Sequence, residues 1–451
     1  MNTIQVGIKV SVGSELLSDL EARGLVAQMT SEDSLRDFLD EPRILYCGFD
    51  PTADSLHIGS LVPLLTLKRF QMAGHKPVAL VGGATGLIGD PSFKAQERKL
   101  NAPDIVAGWV EKLKSQVSRF IDFEAESNAA VVVNNLDWMS GVSVLDFLRD
   151  IGKYFSINNM ISKESVKQRI NREGAGISYT EFSYMLLQSY DFAELYKQHG
   201  CTIQIGGSDQ WGNIVGGVEL TRRLHGAQVY GLTLPLVTKA DGAKFGKTES
   251  GTIWLDPLKT SPYAFYQFWL NAADADVYQF LKYFTFLDAL KIDDIEKEDH
   301  AAAGRPSAQG ILAEEVTRIV HGQMALSSAQ KITETLFSGD VQDLTLSDLL
   351  QLEQDGLPST ILDQGKLSEE PLTSLFVLAG LAKNGKQVKD ALSRNAIASN
   401  GEPLGWDQNM SAASLFTEQR SLHGKWFLVK FGKKSYHLFT LKKIDAANVM
   451  L

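Results

Sequence analysis

YCGFDPTADSLHIGS, Tyr46 to Ser60, passes from an apolar segment through a turn toward a helix, with one histidine at the threshold. A strand ends near Phe49, Asp50-Pro51-Thr52 makes the turn, and Ile58 opens the helix. The same rhythm runs through the first half of the chain. RILYCGF, VALVGG, AAVVVNN, TIQIGG and LTLPLV read as buried strands, and IGSLVPLLTLKRFQMAGH and SDQWGNIVGGVELTRRLHG carry helical spacing. Strand and helix in alternation predict an α/β domain: a parallel sheet covered on both faces, with ligands outside the carboxyl ends of its strands.

The chain has 451 residues, enough for two or three domains. After Ser261 the texture turns helical, in SPYAFYQFWLNAADADVYQFLKYFTF and ILAEEVTRIVHGQMALSSAQKITETLF. Residues 339–370 hold eight acidic residues and one lysine around Gly-Leu-Pro, which reads as a connector. The predicted division is 1–261, 262–338 (helical), 339–370 (acidic linker) and 371–451, a small α+β module. Net charge is −10, yet Leu372 to Lys443 holds eleven Lys plus Arg against four Asp plus Glu, leaving −17 for the remainder. A basic module on an acidic body points to RNA phosphates as its partner. Two cysteines, Cys47 and Cys201, make neither a disulfide framework nor a zinc cluster, and reduced thiols in a cytoplasmic protein are expected. The N-terminal residues resemble no signal or transit peptide, and no stretch is long and apolar enough to span a membrane.

His57 falls at the start of a helix, where unpaired N–H groups and the helix dipole favour an anion, and Thr52 adds a hydroxyl donor. Gly59 leaves room for a nucleotide against the backbone. GGATGLIGDPS, Gly82 to Ser92, lacks the G-x-G-x-x-G spacing and reads as a plain glycine-rich loop, with Asp90 at its end placed to pair with an ammonium group. Ser178-x-x-Glu181 is a capping box, and in the helix it opens Tyr184, Gln188 and Asp191 share one face. A phenol, an amide and a carboxylate there suit a small polar pocket. IQIGGSDQWGN places Asp209 and Gln210 just after another strand. KADGAKFGKTESG tempts a P-loop reading, but position 241 is Asp where the motif needs Gly. Lys244 and Lys247 fit better as a clamp on a polyphosphate whose charge grows during displacement.

Taken together, these segments resemble the bacterial-type tyrosyl-tRNA synthetases, a class I family. YCGFDPTADSLHIGS is similar to the family's His-Ile-Gly-His signature with its lead-in, and KFGKT to its Lys-Met-Ser-Lys-Ser loop. LVGGATGLIGDPS, EFSYMLLQSYDF, QIGGSDQWGN and a C-terminal module like a ribosomal-protein-type RNA-binding domain extend the resemblance over most of the chain. It implies a Rossmann-like catalytic domain, a helical domain and an RNA-binding domain. By the same resemblance Tyr46 and Asp191 contact a substrate phenol, Asp90, Tyr184 and Gln188 hold its α-ammonium group, and Gln210 lies close by. Cys47, Gly48, Asp50, Thr52, His57, Gly59, Ser60 and Asp209 match positions around ATP, with Thr52 and His57 on the phosphates. Lys244, Lys247 and Thr248 match the mobile loop. Lys383, Lys386, Lys389, Arg394, Lys425, Lys430, Lys433 and Lys434 are the candidates for tRNA contact. Ser60 stands where the family has its second signature histidine, which bears on nucleotide affinity more than on activity.

The implied chemistry is activation of L-tyrosine by ATP, Mg²⁺ accompanying the phosphates without a dedicated protein site, then transfer to tRNA by a homodimer. Two other readings share the scaffold. An RNA-binding protein that has lost synthesis is opposed by His57, Lys244 and Lys247, and a tryptophanyl enzyme is opposed by Tyr46 paired with Asp191, which suits a phenol.

Overall fold

The computed structural model describes residues 14–91, 100–163, 166–167, 170–171, 176–240, 242, 245–248, 251–304, 306–365, 367, 371–407, 411–433 and 435–442. Lys244 and Lys434 lie outside the described residues, and Lys247 and Thr248 are described through their backbone. Two compact units result, one from Met1–Asp256 and Ala272–Leu312, the other from Pro257–Asn271 and Ala313–Leu451.

The first unit contains strands β1 Gln28–Met29, β2 Ile44–Phe49, β3 Lys76–Val81, β4 Val131–Asn134, β5 Ile203–Gly207 and β6 Tyr230–Leu234, ordered β1-β6-β5-β2-β3-β4. β2 to β6 run parallel, and β1 alone is antiparallel, on β6. The apolar runs ALV in β3 and YGLTL in β6 are buried throughout, as strands covered on both faces must be. From β2 the chain moves outward to β3 through helix Leu61–Met72 and on to β4 through helix Pro103–Val117. It then returns to β5 on the opposite side of β2, pairing Tyr46 with Gln204 and Cys47 with Ile205. That reversal opens a crevice at the carboxyl ends of β2 and β5, where a parallel sheet accepts ligands. Helix Tyr179–His199 begins as its capping box predicts, with Ser178 Oγ accepting the Glu181 N–H at 3.2 Å. Its Phe192 and Leu195 pack into one core with Tyr46, Val78 and Leu80, which holds the Tyr184–Asp191 face against the sheet. A small hairpin, β7 Lys247–Thr248 and β8 Gly251–Thr252, follows the sheet.

Two predicted boundaries differ from the structure. The helical region 262–338 is divided: helix Asp274–Phe284, with Val277, Phe280, Leu281 and Phe284 buried, packs on helix Leu61–Met72 and joins the first unit, while Pro262–Leu270 joins the second. Residues 339–370 are also more than a linker. Helix Leu346–Gln351 carries a reciprocal cap between Thr345 and Asp348, and Leu349, Leu352 and Leu362 are buried under an acidic surface. Their strand β9, Ser359–Asp363, belongs to the second unit's sheet with β10 Ile397–Ser399, β11 Glu402–Leu404, β12 Trp426–Phe431 and β13 Ser435–Lys442. The order is β11-β10-β12-β13-β9, antiparallel except for β9 along β13. Phe376, Val388, Ile397, Phe427 and Phe439 fill the core beneath helices Leu372–Leu378 and Gly385–Ser393, giving the expected α+β module. It is tied down: Tyr436 Oη donates to the Leu336 carbonyl at 2.6 Å, His423 Nε2–H to the Leu344 carbonyl at 2.8 Å, and Lys425 Nζ to Glu353 at 3.1 Å. No helix among the described residues is long and apolar enough to cross a membrane.

Candidate active site

Two cavities meet at the crevice and share Gly48, Asp50, Pro63 and Gly207 as walls. The first, with about 760 Å³ of free space, is lined by Tyr46, Asp90, Tyr184, Gln188, Asp191 and Gln210, all six residues predicted around the amino acid. The second is larger, about 1610 Å³, and is lined by Thr52, His57, Gly59, Ser60 and Asp209, predicted around the nucleotide. Cys47 departs from that grouping: it lines the first cavity, and burial pushes its thiol up to about 12, so it acts there as a small wall and not as a nucleophile.

At the floor of the first cavity Tyr46 is 1% exposed, and its hydroxyl has no hydrogen-bond partner among the described residues. Asp191, on the neighbouring helix, accepts from Trp138 Nε1 at 2.9 Å and from Asn135 Nδ2 at 3.0 Å. Burial raises its carboxyl to about 8, and the two donors pull the other way. A buried phenol without a partner beside a carboxyl with lone pairs to spare is a site for a ligand hydroxyl, which can donate to one and accept from the other. Burial and the neighbouring carboxylates also push the Tyr46 and Tyr184 phenols upward, so both stay protonated donors.

Nearer the mouth, Tyr184 Oη donates to Asp50 Oδ2 at 2.6 Å and Thr85 Oγ1 to Asp50 Oδ1 at 2.6 Å. Asn135 Nδ2 reaches the same threonine at 3.0 Å, so one chain of hydrogen bonds runs from Asp191 to Asp50. The close approach that the glycine-rich loop implies is therefore to protein: a Cβ at Gly82 would fall on the Asp50 carboxylate and the Thr85 hydroxyl. On the other wall Gln210 Nε2 donates to Asp90 Oδ2 at 2.7 Å and to Asp209 Oδ2 at 3.2 Å.

His57 caps a single 3₁₀ turn, Ile58–Ser60, that leads into helix Leu61–Met72, so the regular helix opens three residues later than predicted. Its Nδ1 accepts the Gly59 N–H at 3.0 Å, which turns the exposed ring toward the second cavity. The hairpin that carries Lys247 is held to this segment through backbone: Ile58 N–H donates to Ile253 O at 3.0 Å and Leu255 N–H to Leu56 O at 2.9 Å, while Ile253 N–H to Gly246 O at 3.1 Å closes the hairpin itself. The two lysine-bearing and histidine-bearing motifs, nearly 190 residues apart, thus border one cavity.

In the second unit Lys383, Lys386, Lys389, Arg394 and Lys433 are exposed, while Lys425 and Lys430 are half-buried. Lys425 is bound to Glu353 and lies 4.5 Å from the Trp426 ring, and Arg394 pairs with Asp390 at 2.7 Å, so neither offers a fully unengaged charge. Four residues with functional geometry are not singled out in the sequence reading: Thr85, Asn135, Trp138 and Asn213. Asn135 and Trp138 follow β4 directly, and the rule that parallel sheets use their carboxyl ends points to NNLDW as it does to the other loops.

The profile of a family described as tRNA synthetases class I (W and Y) matches residues 39–338. A tyrosine–tRNA ligase of Aliivibrio salmonicida is 60% identical over 430 residues, 95% of this chain and 99% of that protein. One of Chromobacterium violaceum is 60% identical over 424 residues, 94% and 98% of the two chains. Among solved structures, a C-terminally truncated mitochondrial tyrosyl-tRNA synthetase of Aspergillus nidulans superposes with a TM-score of 0.65 at 30% identity, over 71% of this chain and 94% of that one. The strand order, the paired cavities and these relatives agree, and the chain belongs to the class I tRNA synthetases of the tryptophan and tyrosine branch, within its tyrosine–tRNA ligase group.

Proposed function

We propose that the protein activates L-tyrosine with ATP and transfers it to the 3′-terminal adenosine of its cognate tRNA. The observation that carries this reading is the Tyr46 hydroxyl, without a hydrogen-bond partner among the described residues, beside Asp191 in the first cavity. A phenol seated there leaves the α-amino group near Asp90, Tyr184 and Gln188, and the carboxylate toward Gln210 and the second cavity. The tyrosine carboxylate attacks the α-phosphorus of ATP and pyrophosphate departs. A ribose hydroxyl of the tRNA terminus then displaces AMP from the tyrosyl carbonyl. No covalent enzyme intermediate is needed, so positioning and stabilisation of charge on the phosphates supply the catalysis.

In this reading Thr52 and His57 donate to the phosphates, Lys247 and Thr248 close on them from the hairpin, Lys244 acts with them as its place in the matched motif implies, and Gly48, Asp50, Gly59, Ser60 and Asp209 bound the nucleoside. Among the described residues no group of three His, Cys, Asp or Glu stands together to hold a metal. Mg²⁺ enters this reading as the companion of the ATP phosphates, whose oxygens would serve as its ligands. The exposed lysines of the C-terminal module contact tRNA phosphates. The working form is a cytoplasmic homodimer, a reading supported by the apolar residues Val144, Leu145 and Ile157 exposed on the first unit. ATP–pyrophosphate exchange with tyrosine, phenylalanine and tryptophan tests the proposal: exchange driven by tyrosine alone is expected, and exchange driven equally by tryptophan would overturn it.

A further inference from the structure

Asn213, the third residue of helix Trp211–His225, is 8% exposed and stands behind the first cavity, outside its lining. Its Nδ2 donates to Gln188 Oε1 at 2.9 Å and to Gln210 Oε1 at 3.0 Å, so one amide nitrogen spends both hydrogens on two site amides. An amide side chain can face either way round, and its partners decide which. Gln210 is settled first, because its Nε2 meets two carboxylates, Asp90 at 2.7 Å and Asp209 at 3.2 Å, and an ionised carboxylate only accepts. Its oxygen must then point at Asn213, which forces the Asn213 nitrogen inward, which in turn fixes the oxygen of Gln188. Reversing any one amide sets oxygen against oxygen or NH₂ against NH₂ at a neighbour, so none of the three can turn alone.

We propose that Asn213 is a positioning residue: it transmits the orientation set by Asp90 and Asp209 to Gln188, keeping the Gln188 carbonyl oxygen placed to accept from a substrate ammonium group. A carbonyl oxygen has two lone pairs, and Asn213 occupies one. The other serves the substrate. Were Gln188 reversed, its NH₂ would meet the ammonium and repel it. The inference rests on the assignment of Gln188 to the α-ammonium group of tyrosine, made above.

The test separates the two claims by using ligands that differ in that group. Tyramine keeps the phenol and ammonium, and 3-(4-hydroxyphenyl)propanoate keeps the phenol and carboxylate. Asn213→Ala, which suits a helix, and Asn213→Asp, which keeps the shape without the donor, should each raise the tyrosine KM in pyrophosphate exchange and weaken tyramine inhibition by about tenfold. Inhibition by the propanoate, the ATP KM and the thermal midpoint should stay nearly unchanged. In a Gln188→Ala background, Asn213→Ala should add less than about twofold to the tyrosine KM, since the residue it orients is gone. Equal weakening of both analogues, or full additivity in the double variant, would overturn the positioning role. An unchanged tyrosine KM in Gln188→Ala alone would overturn the ammonium assignment and the inference with it. A normal Asn213→Ala beside a defective Gln188→Ala would sink the inference only.

Discussion

Tyr46 and Asp191 meet the first cavity in opposite conditions, the phenol without a partner among the described residues and the carboxyl with two donors already in place. A tyrosine hydroxyl satisfies the first and shares the second, whereas phenylalanine leaves the Tyr46 oxygen buried and unpaired. Tyr46→Phe removes that oxygen, so the preference for tyrosine over phenylalanine in pyrophosphate exchange should narrow by about 0.5–1.5 kcal/mol, roughly two- to tenfold. An unchanged ratio would take Tyr46 out of hydroxyl recognition. Asp191 offers a second handle through pH. Burial holds its carboxyl at about 8 in the folded protein, against about 3.9 in an unfolded chain. Between those values the unfolded chain has released the proton and the folded one has kept it, so this residue's contribution to stability falls as pH rises from about 4 to about 8. Asn has no such proton. The thermal midpoint of ligand-free Asp191→Asn, taken relative to the parent, should therefore shift in the variant's favour between pH 5 and pH 8, and a shift the other way would place the carboxyl in its ordinary range.

At the scale of elements, the docking of the KFGKT hairpin on the His57 segment depends on Gly246, whose φ is +74° and whose Cβ, if present, would collide with Ile58 Cγ2. Gly246→Ala should push the hairpin, with Lys247, away from His57 while leaving the first cavity intact. Adenylate formation in single turnover should slow by at least tenfold with the tyrosine Kd almost unchanged, and an equal loss in both would mean that the hairpin supports the fold instead. Much of this architecture is legible in the residues. Runs such as VALVG and the Ser178–Glu181 cap carry local signals strong enough to place β3 and helix Tyr179–His199, and the six residues expected around the amino acid come from four segments of the family resemblance. Trp138 and Asn135 are silent because their role is set by an aspartate more than fifty residues away, and no spacing encodes that meeting. Asn213 closes the quoted QIGGSDQWGN motif, yet its role is silent too, because it is set by a meeting with Gln188 on another helix. The strand at Ser359–Asp363 hides differently: five residues with an acidic end and an exposed Ile361 read as loop until β13 arrives to pair with them.

Over the whole molecule, the acidic stretch after Gly339 decides where the chain can be shortened. Within the second unit Asp355 accepts the Ser261 N–H at 2.9 Å and Gln351 accepts the Tyr263 N–H at 2.9 Å, so residues 345–356 satisfy the start of helix Pro262–Leu270. Gly356 also closes the helical turns two residues short of the C-terminal sheet, which opens with β9 at Ser359. A chain ended after Leu357 keeps both caps and loses every candidate tRNA lysine, whereas one ended at Gly339 loses the caps as well. The longer truncation should form tyrosyl-adenylate at close to the full rate, fail to charge tRNA efficiently, and melt near the temperature of its counterpart's corresponding unit in the intact protein. The shorter one should melt several degrees lower, since two buried N–H groups are left without acceptors. The intact protein's affinity for tRNA should fall steeply between 50 and 200 mM salt, as phosphate contacts by Lys383, Lys386, Lys389 and their neighbours require, with those concentrations taken as approximate bounds. Undiminished charging by the chain ended after Leu357 would move tRNA recognition away from the basic module, and loss of adenylate formation in that chain would show that the C-terminal sheet supports the catalytic site.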